Sequence, residues 1–300
     1  SIGLPYFLNY RKKLPSFAWF LFATSLFSYG LLFEIERGQF NLIAMGFAFL
    51  AILLFHKIPR LRWLAYIFFC ISVQLKIYPA IFVIFLTDDW RDWKRTFLRW
   101  ASLGLANIAL LFLLGLEIMQ HYVTAMTRVV SSIGKSDWSV NHSINGFVSF
   151  INYYFNFPDT DFQVIQSTLT VTIIILIGIC FYNAFVRRTI LDPFLLLAST
   201  IGALLFPTLS NDYTLAYLVG PTIFLLIHLD EETQRLVELT KKDKSHIGII
   251  IGLCAFALTS TYFSYLQKPL FLQNQLPALF LLLVCTTIYS FKNRYPANVI

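Results

Sequence analysis

A bundle of membrane-spanning α-helices is the fold this sequence predicts, and three observations predict it. Of 300 residues, 57% are hydrophobic and only 13% are charged, whereas soluble domains carry about 25% charged residues because a surface must face water. Mean hydropathy is +0.67. The apolar residues gather in nine runs separated by short basic clusters. With 31 Phe, 15 Tyr and 6 Trp the chain is also too aromatic for a solvated coil. It is read as one all-α, polytopic transmembrane domain covering residues 1–300.

The elements follow from length and charge. A helix rises about 1.5 Å per residue, so about 20 apolar residues cross a hydrocarbon core of about 30 Å. The runs fall at about 16–33, 40–55, 63–86, 97–119, 164–186, 190–209, 213–229, 247–266 and 276–291. Lys and Arg favour cytoplasmic loops. With Arg11, Lys12 and Lys13 inside, nine simple crossings would strand twelve basic residues outside. One change repairs this. The run 63–86 contains Gln74, Lys76 and Pro79, and Pro removes a backbone donor and breaks a helix.

If the chain rises from Trp63, turns at Lys76–Pro79 near the outer face and descends to Asp88, 18 of the 23 basic residues become cytoplasmic. Arg37, Lys76, Arg128, Lys135 and Lys268 remain outside. The prediction is ten passes, with short and broken helices on the non-cytoplasmic side. Irregular backbone at membrane depth persists only where protein or a water-filled cavity receives it, so the break predicts an outer cavity. The largest outer loop falls at about 120–163.

The net charge of +7 sits in those loops rather than along one face, which excludes a nucleic-acid footprint. Cys70, Cys180, Cys254 and Cys285 lie inside apolar runs and read as small hydrophobes. No P-loop, dinucleotide glycine fingerprint, HExxH or Cys/His cluster is present. No metal and no cofactor is expected. The chain opens Ser-Ile-Gly-Leu-Pro without Met or a signal peptide, so the expectation is a missing N-terminal span and first outer loop.

The topology sorts the polar residues. On the outer side lie the turn Glu34-Ile35-Glu36-Arg37-Gly38-Gln39-Phe40-Asn41, then Lys76 and Tyr78, then Asn141-His142-Ser143-Ile144-Asn145-Gly146, then Asn211-Asp212-Tyr213. Ionisable groups at membrane depth are costly and usually functional. Plainer readings stand beside that one: a wet hairpin turn for Glu34 and Glu36, snorkelling for Lys76, an ordinary loop position for His142, and helix capping for Asp212.

The sequence resembles a known family in the order of these motifs. Glu36-Arg37-Gly38-Gln39-Phe40-Asn41 opens an apolar helix. Then come Leu75-Lys76-Ile77-Tyr78-Pro79, the loop Trp90-Arg91-Asp92-Trp93-Lys94-Arg95, and Asn141-His142-Ser143-Ile144-Asn145-Gly146, similar to an Asn-x-Ser-Leu-x-Gly element. Over about 30–230 this is similar to the family 87 glycosyltransferases (the domain-of-unknown-function 2029 group), multispanning enzymes of the GT-C fold.

The resemblance implies a plasma-membrane hexosyltransferase, bacterial by expectation. It would move a mannose-like sugar from a polyprenyl-phosphate donor to a lipid or glycan acceptor outside the cytoplasm, by metal-independent inverting transfer. Such enzymes place a catalytic Asp in the first outer loop, and the expectation is that this loop belongs to the missing N-terminal segment. Within it the candidate bases are Glu34, Glu36 and Asp212. Lys76 and Arg37 would stabilise the leaving phosphate, and Gln39, Asn41, Tyr78, Asn141, His142 and Asn145 would bind substrate. The alternatives are a transporter or flippase, since broken helices also mark transporters, and a non-catalytic subunit of a membrane complex.

Overall fold

The computed structural model describes residues 16–113, 115–133, 141–156, 158–235, 241–259 and 274–292. Arg11, Lys12, Lys13, Lys135, Lys268 and Arg294, used in the charge argument, lie outside the described residues. The named elements of the described residues are all helical. The one β-bridge among the described residues joins Asn141 to Asn211.

The helices are α1 (Ser16–Leu26), α2 (Tyr29–Arg37), α3 (Asn41–Lys57), α4 (Arg62–Leu75), α5 (Trp93–Leu111), α6 (Leu116–Ile133), α7 (Ile144–Phe155), α8 (Asp159–Arg187), α9 (Pro193–Leu205), α10 (Val219–Arg235), α11 (Lys241–Thr259) and α12 (Leu276–Lys292). Two longer 3₁₀ segments interrupt them, Tyr78–Phe85 and Asp212–Leu218. The core centres on α9, every residue of which is buried, as a helix apolar on all sides should be. It packs against α8, α10 and α12.

Among the described residues, two helices are long and apolar enough to cross a membrane, Thr160–Arg187 and the continuous stretch Asp212–Leu229. A third counts if Trp93–Leu111 and Leu116–Ala125, bent by 102°, form one broken span. Three of the sequence-based runs are divided. The run 16–33 splits where Ser28 caps α2, its hydroxyl accepting the Leu31 N–H. The run 97–119 breaks ahead of Gly115, whose φ is 96°. The expected loop 120–163 instead carries most of α6 and all of α7.

The third division is the one expected at Lys76–Pro79. Helix α4 ends at Leu75, Lys76 is extended with φ −153° and ψ 140°, and Pro79 stands in the first turn of the 3₁₀ segment. Its return is fixed at the far end. Asp88 bonds Arg62 at 2.6 Å and Arg99 at 2.5 Å, and His56 Nε2 donates to the Phe85 carbonyl at 2.7 Å. The Phe55 ring lies 4.8 Å from both guanidinium carbons. Residues 62–88 therefore rise and return to their starting level. Fourteen helical residues rise about 21 Å and eight 3₁₀ residues about 16 Å, each short of a full crossing.

Candidate functional site

The turn after α2 is a helix stop built by glycine. Gly38 sits at φ 60°, its N–H bonds Ile35 O and the Gln39 N–H bonds Glu34 O, the pattern of a left-handed C-cap. The open space around the Gly38 Cα shows that positive φ, and not close approach, is why glycine stands there. The reversal sends the chain straight into α3 and aims Glu34 back at its start. Glu34 Oε1 accepts the Leu42 N–H at 2.6 Å. The carboxylate thus takes the place of a cap on the free N–H groups at the positive end of α3.

Glu34 is buried. Burial pushes its carboxyl above the ordinary value of 4.5, against the opposing pull of the Leu42 N–H, Lys76 and the Asn41 N–H. Desolvation thus outweighs the neighbouring cation and the two backbone donors. Across the turn, Lys76 Nζ donates to Gln39 Oε1 at 3.3 Å. The hairpin turn and the helix break are one locus. Glu36 is exposed and has no hydrogen bond or ion pair among the described residues. The Arg37 side chain is not among those described.

The Asn141–Gly146 element forms a knot. Asn141 Oδ1 accepts the N–H groups of Ser143 (3.1 Å) and Ser210 (2.9 Å), and Nδ2 donates to Thr208 O at 2.8 Å. Ser143 caps α7 by accepting the Gly146 N–H at 3.0 Å. A Cβ on Gly146 would stand 2.2 Å from the Asn141 carbonyl oxygen, so here close approach does require glycine. Tyr78 reaches the same loop, its hydroxyl donating to Leu209 O at 3.2 Å. Asn145 is half-buried in the first turn of α7.

His142 and Asp212 are both buried, at 1% and 3% exposure. His142 Nδ1 accepts the backbone N–H of Gln275 at 3.2 Å, which places the ring proton on Nε2. That N–H donates to Asp212 Oδ1 at 2.6 Å. Both ring nitrogens are thus used within the protein. Asp212 does not cap the segment it begins, because Asn211 holds that position without a side-chain bond. Its Oδ2 has no hydrogen-bond partner among the described residues.

Sequence reasoning missed Tyr217. It is 2% exposed, its hydroxyl lies within electrostatic reach of Glu34, Tyr78 and Tyr213, and it has no hydrogen-bond partner among the described residues. Within the apolar stretch Thr214–Leu218 it reads as core. The available signal was its hydroxyl, which normally seeks a partner when buried. Glu34 Oε2 and both side-chain atoms of Asn41 are buried and unpartnered in the same sense. Each such group costs about 1–3 kcal/mol. Helix α2 packs on Asp212–Leu218, so dry acceptors and donors converge beside a lysine. That arrangement suits hydroxyl-rich, anionic chemistry.

No curated protein and no solved structure matches the chain. The family model described as glycosyltransferase family 87 matches residues 6–210, which take in the Glu34–Asn41 turn, the Lys76–Pro79 break, the Asn141 knot and the loop it clamps. With more than half of its length matched, over the stretch that builds most of this locus, the chain belongs to glycosyltransferase family 87.

Proposed function

We propose that this glycosyltransferase moves a mannose-like hexose from a polyprenyl-phosphate donor to a lipid or glycan acceptor on the non-cytoplasmic side of a bacterial plasma membrane, within a GT-C-like bundle of about ten passes. The observation that carries the reading is the 3.3 Å bond between Lys76 Nζ and Gln39 Oε1 at a helix break. A departing sugar leaves negative charge on the donor phosphate. A fixed cation among low-dielectric walls stabilises that charge far more than one in water. Lys76, a cation at a break in an apolar segment, is such a group.

The acceptor hydroxyl must lose its proton to a carboxylate. Glu34 is favoured over Glu36, because Glu34 is turned inward beside Lys76 and Glu36 faces out. Asp212 is the second candidate, with His142 holding it. Asn41 and Tyr217 supply unmet hydrogen-bonding capacity that sugar hydroxyls would satisfy. Asn141 spends its side chain on the Thr208–Ser210 loop and supports the site by position.

The test is transfer in proteoliposomes with a radiolabelled polyprenyl-phosphate sugar. Lys76→Met should lower the transfer rate by about a hundredfold or more while leaving the protein folded, since loss of a charge-assisted contact to the transition state costs a few kcal/mol. Lys76→Arg should recover only part of it, because a planar fork does not replace a point charge. Full activity in Lys76→Met would reduce Lys76 to a snorkelling side chain. Uptake or flipping of the labelled lipid without sugar transfer would favour the transporter reading.

A further inference from the structure

We propose that the Arg62–Asp88–Arg99 cluster binds the phosphate of an anionic phospholipid, one acyl chain of which lies along α4 and α5. The lipid belongs to the leaflet beside this cluster, the cytoplasmic one by the distribution of charge. The site is at the opposite end of the 62–88 hairpin from Lys76, and it stands whether or not the chain transfers sugar.

The charge comes first. Arg62 and Arg99 share one carboxylate, Asp88, at 2.6 Å and 2.5 Å, so the cluster keeps a net positive charge. Arg62 gives Nε to Phe55 O at 3.3 Å and Nη2 to Asp88, and its Nη1 has no partner among the described residues. Its side chain is 34% exposed, against 10% for Arg99. Arg62 therefore meets the ligand, while Arg99, bonded also to Leu86 O, holds Asp88 in place. Lys57 and Arg60 in the α3–α4 corner, and Arg91, Lys94 and Arg95 around the start of α5, are exposed and form no ion pair among the described residues. The carboxylates of Asp89 and Asp92 are each engaged by a backbone N–H, of Arg91 and Arg95. A guanidinium fork matches phosphate oxygens.

Helical register supplies the apolar half of the site. Residues three or four apart share a helix face. Arg62 therefore stands one turn below Tyr66, with Cys70 and Gln74 following on that face. Arg99 stands one turn below Leu103, with Ala106 and Leu110 following. Those six residues line a groove of about 740 Å³ between the two helices. It climbs about 12 Å from Tyr66 to Gln74. Gln74 Nε2 donates to Asn107 O at 2.9 Å and to Asn107 Oδ1 at 3.1 Å, which ties the helices together and preforms the wall. Lys76 does not serve this groove, because its ammonium is held toward Gln39. The level is marked by tryptophan. Trp63, beside Arg62, and Trp93, in the first turn of α5, are both exposed, and exposed Trp gathers at the head-group level. A negative head at that level with a hydrocarbon chain running inward is a phospholipid.

Native mass spectrometry of the detergent-solubilised protein tests it, with phosphatidylglycerol and phosphatidylcholine of identical chains titrated in. One phosphatidylglycerol should be retained in preference to phosphatidylcholine. Arg62→Gln should lower its affinity about tenfold, the worth of one charge-assisted contact beside a lipid surface, and leave phosphatidylcholine unaffected. Arg188→Gln, which removes the same charge at the end of α8, should change neither. Equal retention of the two lipids, or an Arg62→Gln variant that keeps the preference, overturns the proposal.

A second measurement does not depend on the variants folding. Phosphatidylglycerol with a diazirine in one acyl chain should crosslink to the unsubstituted protein at Tyr66, Cys70 or Ala106, and unlabelled phosphatidylglycerol should compete. Equal competition by phosphatidylcholine would reduce the groove to a general lipid contact. Equal competition by inorganic phosphate would make the cluster a site for the free anion. Stronger competition by polyprenyl phosphate would give the groove to an isoprenoid, and a lipid-free dimer that blocks crosslinking would give it to a second copy of the chain. Any of these, or crosslinks confined to other helices, overturns the phospholipid.

Discussion

At Gly146 the smallest side chain decides whether the knot closes. The space that a Cβ would need is held by the Asn141 carbonyl and side chain, which in turn fixes Ser210 and Thr208. Gly146→Ala should cost about 1–3 kcal/mol as overpacking against backbone, read as a lower unfolding midpoint in detergent. A midpoint equal to that of the unsubstituted protein would mean that α7 shifts freely. Glu34 carries a pH dependence of definite sign. Its raised pKa means that the folded state binds the proton more tightly than the unfolded state. The group therefore favours folding below its ordinary value of 4.5, and that contribution is lost as pH rises through the raised folded value. Glu34→Gln keeps an acceptor for the Leu42 N–H and removes the titration. Its stability should vary less with pH across that window, measured by thermal unfolding from pH 4 to pH 8. An unchanged pH profile would show that Glu34 is not buried in solution.

Among the elements, the hairpin 62–88 is where local sequence and tertiary contact agree. Pro79 marks the break because it lacks an N–H, and that much is local. Closure of the hairpin depends on residues further apart: Asp88 meets Arg62 and Arg99, and the Phe55 ring lies 4.8 Å from each of their guanidinium carbons. Asp88→Ala should leave Arg99 without its carboxylate in a site where its side chain is only 10% exposed. A loss of about 1–3 kcal/mol is expected, together with weaker transfer, because Lys76 sits at the tip of the hairpin. Reduced stability with unaltered kcat/KM would show that the tip keeps its place without the clamp. The bend ahead of Gly115 was less legible. Nothing in the apolar run 97–119 announces it except that glycine, and a lone glycine is tolerated inside a helix at modest cost.

For the whole molecule, sidedness rests on the distribution of Lys and Arg, a property of sequence that the helical geometry leaves open. Cysteine substitutions at exposed positions decide it. Arg91→Cys should label from the cytoplasmic side and Tyr153→Cys from the other in oriented vesicles. Labelling of both from one side would end the topology.

The sequence by itself determined the membrane class, the all-helical fold and the break at Lys76–Pro79, since hydropathy, charge spacing and proline act through local chemistry. It also brought the right motifs to notice, since polar residues in apolar surroundings are conspicuous. The tertiary structure alone decided which of them act on one another. Glu34 and Glu36 are two positions apart in one turn, and two residues turn a helix by about 200°, so only one faces inward; the packing of α2 on Asp212–Leu218 selected Glu34. His142 and Asp212 are 70 residues apart, and the backbone N–H that sets the histidine tautomer lies 133 residues further along from His142. No local preference encodes contacts of that separation. They exist because burying the apolar faces of α7, α9 and α12 leaves those polar groups no water, and they find one another instead.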